Sequence, residues 1–104
     1  MQDFKDFTPF ETPEEGLEEY LENFISSRRK DLEDLKSFFD KGEVENVKKI
    51  LHKWEGFSEP YGFGGLRTFS TQIRACLTLQ KSELFEKIYI QIKDYLDYKE
   101  NQFL

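Results

Sequence analysis

Val44-Glu45-Asn46-Val47-Lys48-Lys49-Ile50-Leu51-His52-Lys53-Trp54-Glu55-Gly56-Phe57 is the stretch whose reading decides the fold. Val44, Val47, Ile50, Leu51 and Trp54 recur at helical spacing and mark one buried face. At about 100° per residue, His52 stands roughly 140° from the centre of that stripe. Its imidazole is therefore expected to face water, on the side shared with Glu45, Lys49, Gly56 and Glu59. A solvent-facing histidine with glycine one turn later is not a core-packing arrangement; it reads as a reactive group with a cleared approach.

Working outward, the same periodicity recurs three more times. Thr12-Pro13-Glu14-Glu15 has the chemistry of a helix start, with Thr12 as cap, Pro13 at the first helical position and Glu15 completing a capping box. Leu17, Tyr20, Leu21, Phe24, Ile25, Leu32, Leu35, Phe38 and Phe39 then form a stripe ending near Asp40. Ser26-Ser27-Arg28-Arg29-Lys30 interrupts it, so this is one long helix or two joined by a bend. Ser26-Ser27 would cap a second helix, whereas a continuous one would lay Arg28 over the core edge. Gly42 suits the left-handed position that closes the helix. After His52, Glu59-Pro60 is a break, because a proline disfavours helical geometry in the residue before it. Gly62, Gly64 and Gly65 straddle the next turn. Leu66, Phe69, Ile73, Cys76 and Leu77 give a third stripe. Gln80-Lys81 turns the chain, Ser82 can cap, and Phe85, Ile88, Tyr89, Ile92, Tyr95 and Leu96 give the last. Short links make neighbours antiparallel. The expectation is an all-α fold, an antiparallel up-down four-helix bundle over residues 12–104 with an N-terminal extension over 1–11. In the extension, Phe4, Phe7 and Phe10 are expected to pack across the bundle rather than serve as a docking peptide.

Composition narrows the function. The chain has 104 residues, the size of one domain with its own core. Its net charge of −6 leaves no basic stripe, so nucleic acid is not an expected partner. The lone Cys76 excludes an internal disulfide framework and fits a reducing compartment. No apolar run reaches the length of a membrane span, and Met1-Gln2-Asp3-Phe4 resembles no secretory leader. A cytoplasmic monomer away from membranes is expected. His52, Glu55 and Glu59 make a poor metal site, because bundle sites need ligands projecting inward from several helices; no metal is expected. Gly62-Phe63-Gly64-Gly65 is not a nucleotide loop, since no strand precedes it and no Lys-Ser or Lys-Thr follows.

His52, Gly56, Gly62 and Leu66 follow one another at intervals of four, six and four residues. With the sub-pattern His52-Lys53 and Tyr61-Gly62-Phe63, this resembles the histidine-containing phosphotransfer (Hpt) domain family, in outline from about Glu15 to the C-terminus. Two positions differ from the family's usual residues: the third after the histidine, usually Lys or Ala, is Glu55, and the fifth, usually small, is Phe57. The resemblance implies a phosphorelay intermediate that accepts and donates a phosphoryl group at His52, a phosphocarrier rather than an autokinase. Its partners would be a response-regulator receiver domain or a hybrid sensor kinase. No intrinsic cofactor is implied; Mg²⁺ would sit on the receiver. Gly56 would let the partner's acidic pocket reach the ring. Lys48, Lys49 and Lys53 would offset phosphate charge, whereas Glu55 and Glu59 would oppose it, at a cost on the order of 1 kcal/mol per pair at surface dielectric. The alternative is an Hpt-like interaction module that works without phosphorylation.

Overall fold

A computed structural model describes residues 11–79 and 81–103; the expectation for Phe4, Phe7 and Phe10 lies outside them. Four helices follow in order: α1 Leu21–Asp40, α2 Val44–Phe57, α3 Gly65–Leu79 and α4 Ser82–Phe103. Short 3₁₀ turns at Glu18–Tyr20 and Glu59–Tyr61 precede α1 and follow α2. Each helix packs on the next, and α4 closes the ring against α1. This is the expected all-α four-helix bundle, with no strand among the described residues. None of the helices is long and apolar enough to cross a membrane.

The stripes meet in one core. Leu35, Val47, Leu51, Trp54, Phe63, Leu66, Ile73, Ile92 and Tyr95 are fully buried, and Cys76 lies among them as a small hydrophobe with its thiol pushed up by burial. The α1 helix runs unbroken through Ser26-Ser27. Arg28 is buried, its guanidinium 4.7 Å from the centre of the Phe24 ring, and donates from Nε to Asp31. The end of α1 is closed as the Gly42 position suggested. Gly42 has φ +72°, its N–H reaches the Phe39 carbonyl, and the Glu43 N–H reaches the Phe38 carbonyl. These are the paired bonds of a Schellman closure, which use two otherwise orphaned carbonyls.

Three expectations are corrected, the first being that Tyr20, placed on the buried stripe, is 50% exposed. No helix starts at Thr12: residues 11–17 form a strap, and the helical course begins only at Glu18. The strap's polar groups are used elsewhere. The Glu14 N–H donates to the Pro60 carbonyl at 2.8 Å, and Gly16, at φ +92°, gives its N–H to the Glu18 carboxylate. Val44, expected on the buried face, is 39% exposed. As the first residue of α2 it lines the rim of a cavity of about 320 Å³, with Phe39, Val47, Cys76 and Leu77.

Candidate functional site

His52 stands in the C-terminal half of α2, exposed, on the solvent side where the wheel places it. Glu45, Lys49, Gly56 and Glu59 share that side and are exposed too. The ring makes no hydrogen bond or ion pair among the described residues, so no neighbouring base or carboxylate orients it. One turn on, Gly56 leaves bare backbone: a Cβ built there would meet nothing within 4 Å. Gly56 is the penultimate residue of α2 and is not among the glycines at positive φ, so a left-handed backbone does not account for it.

The two flanks of His52 differ. Toward α1, Lys53 bends away from the ring and donates from Nζ to Asp31 Oδ1 at 2.7 Å. Asp31 is buried and also accepts from Arg28 Nε at 2.8 Å and Trp54 Nε1 at 3.0 Å. One carboxylate thus ties α1 to α2, and the Lys53 charge expected to offset phosphate is already engaged. Above this hub lies a hollow of about 380 Å³, lined by Tyr20, Phe24, Arg28, Lys53, Phe57 and Tyr61. Phe24 and Tyr61 stack at 4.4 Å, while Phe57 stays 63% exposed at the rim.

Toward α3, Glu55 does not stand as an unopposed charge against His52. Arg74 clasps it bidentately, Nε at 3.0 Å and Nη2 at 2.8 Å. The Arg74 hydrogen bonds, with its charge, hold the Glu55 carboxyl below its ordinary value. Glu59 lies 3.9 Å from the Arg67 guanidinium, a loose exposed pair. α3 thus sets a guanidinium against each of the two acids, tightly at Glu55 and loosely at Glu59. Of the upstream lysines, Lys48 lies 3.8 Å from Glu45, and Lys49 has no ion-pair partner among the described residues.

Arg67, Arg74 and Asp31 were not singled out in the sequence. A signal existed for Asp31, because Arg28, Asp31, Leu32 and Leu35 share the buried spacing of α1. The arginines are ordinary solvated positions in sequence and acquire their role only when α3 packs beside α2. No cluster of three or more histidine, cysteine or acidic side chains among the described residues could hold a metal ion. Comparison of the chain with protein-family models, curated proteins and solved structures returned no match. Fold and site together define an all-α four-helix bundle that presents to solvent one histidine with no hydrogen-bond or ion-pair partner among the described residues.

Proposed function

We propose that the chain is a phosphorelay intermediate that accepts a phosphoryl group at His52 from a receiver domain and returns it. The observation that carries this reading is the exposed imidazole beside the bare backbone at Gly56. An aspartyl phosphate on the partner donates its phosphoryl to an imidazole nitrogen. The P–O bond breaks, the P–N bond forms, and the carboxylate is released on the partner. A ring without a local base cannot drive this chemistry alone. Positioning and charge neutralisation come from the partner and its Mg²⁺, and the bundle contributes orientation and access. The Arg74–Glu55 clasp supports the reading, because it sets a guanidinium charge against a carboxylate that would otherwise face a phosphohistidine unopposed.

Incubation with a panel of phosphorylated receiver domains is expected to label the wild-type chain and to leave His52→Gln unlabelled. Label that persists on His52→Gln would falsify the assignment. The second reading, an interaction module that docks without phosphorylation, is favoured by the exposed Phe57 ring at the rim of the α1–α2 hollow. Calorimetric titration separates the two. Equal receiver affinity for wild type and His52→Ala, with no transfer to either, selects the module.

A further inference from the structure

Arg28 is only 9% exposed, yet it lines the hollow between α1 and α2. Its Nε donates to Asp31 Oδ2 at 2.8 Å, and its guanidinium carbon lies 4.7 Å from the centre of the Phe24 ring. Its two Nη groups make no hydrogen bond among the described residues, so most of the guanidinium's donors are left over. Lys53 lines the same hollow and shares the same Asp31 carboxylate. Two cations therefore meet one buried carboxylate, and one positive charge is in excess. No acidic residue among the described ones lines the hollow to cancel it. The rest of the wall is largely aromatic. Tyr61 stacks on Phe24 at 4.4 Å, while Tyr20 and Phe57 keep 50% and 63% of their surface open.

We infer that the α1–α2 hollow is a binding site for a small aromatic carboxylate. The charge count sets the sign of the ligand. Aromatic walls alone would suit a quaternary ammonium, but Arg28 and Lys53 repel a cation. The single excess charge matches a monoanion. The planar guanidinium matches a carboxylate, whose two oxygens lie in one plane with two parallel N–H donors. Asp31 already holds the Nε, so the edge formed by the two Nη groups is the one left for a ligand. The walls set the body of the ligand. A flat apolar ring covers the open surface of Tyr20 and Phe57 and gains offset or edge contacts with them and with Tyr61. The volume of about 380 Å³ is that of a small-molecule site, with few polar groups among apolar ones. His52 does not line the hollow, and the inference rests on neither reading of that residue.

The test uses the full chain and phenylacetate as the probe, at constant ionic strength. Amide shifts in two-dimensional NMR are expected to change saturably, centred on Ser27, Lys53 and Phe57. Phenylacetamide, which keeps the ring and loses the charge, is expected to bind about tenfold more weakly or not at all. Cyclohexylacetate, which keeps the charge and loses the π-face, is expected to bind about threefold more weakly. Two variants then separate the parts of the site. Arg28→Lys leaves a cation beside Asp31 but removes the planar fork, and is expected to weaken phenylacetate about tenfold. Phe57→Ala alters an exposed side chain and is expected to weaken it about threefold. If Arg28→Lys does not fold, Phe57→Ala and the comparison with phenylacetamide decide. The site is overturned by shifts that do not saturate or that centre on Lys48 and Lys49. It is overturned equally by phenylacetamide or cyclohexylacetate binding as well as phenylacetate, or by unchanged affinity in Phe57→Ala.

Discussion

Glu55 and Glu11 each meet a cation across a packing boundary, Arg74 in one case and Lys99 in the other. The Glu55–Arg74 side chains keep 26% and 39% of their surface in water, whereas the Glu11–Lys99 side chains keep 11% and 0%. The first pair gives up little hydration and returns little, because water screens both groups. The second has lost most of its hydration already, so the attraction between its partners is screened far less by water. Asp31 belongs with the buried class, at 7% exposure with three donors. The ion pairs on the His52 face are thus screened by water, while the buried ties at Asp31 and Glu11 join α1 to α2 and the strap to α4.

The largest expected effect breaks the buried side of this contrast. Asp31→Ala removes the acceptor of Arg28, Lys53 and Trp54 together and leaves Arg28 and the indole N–H buried without it. Urea unfolding is expected to show a loss of about 3–5 kcal/mol; a loss under about 1 kcal/mol would place the hub among the screened pairs. Next is Gly62→Ala. At φ +84° a Cβ there would lie 2.7 Å from the Pro13 nitrogen and 2.8 Å from the Thr12 carbonyl carbon, both backbone atoms. The strap must lift, and about 2 kcal/mol or more is expected to be lost. A variant of wild-type stability in the same titration contradicts the strap's seating.

On the exposed face the sign reverses. Gly56→Leu places a side chain in open space on a helical backbone and is expected to raise stability by up to about 1 kcal/mol. The same change is expected to lower receiver binding and transfer sharply, because it fills the approach to His52. A destabilised variant that binds normally rules this out. The smallest effect sharpens the comparison. Arg74 holds the Glu55 carboxyl below its ordinary value of 4.5. A lowered value means that the stabilisation is present above the unfolded value and is lost as pH falls through the folded one. Glu55→Gln is expected to flatten that acid limb and to cost under about 0.5 kcal/mol at neutral pH once solvent screening is counted. An acid limb identical to that of wild type would mean that the clasp contributes nothing measurable.

The four helices were legible because their apolar spacing and closing glycines are local signals, and the exposure of His52 followed from the same wheel. The strap was not legible. Thr12-Pro13-Glu14-Glu15 has every local mark of a helix start, yet its Glu14 N–H and its backbone are taken up by Pro60 and Gly62, nearly fifty residues away in sequence. The partners of Glu55 and Lys53 were hidden for a related reason. Both lie near His52 on α2, and sequence alone does not say which neighbouring helix supplies the counter-charge. Lys99 could have been found: a lysine at the buried spacing of Ile92, Tyr95 and Leu96 requires an acid, although nothing local names Glu11.

The strap also bears on the order in which the molecule assembles. Tyr95 and Lys99 meet Glu11 across 84 and 88 residues of chain, whereas adjacent helices meet across short links. Closing so long a loop costs chain entropy that contacts within a helix pair do not, and a few polar contacts recover it only once the receiving surface exists. The strap is therefore expected to dock last in folding and to leave first in unfolding, as a cooperative unit smaller than the whole. Native-state hydrogen exchange at the Glu14 amide, held by Pro60, reports that opening, and exchange at Leu51 in the middle of α2 reports the global one. A Glu14 amide that exchanges with the free energy of the Leu51 amide would show instead that strap and bundle unfold as one.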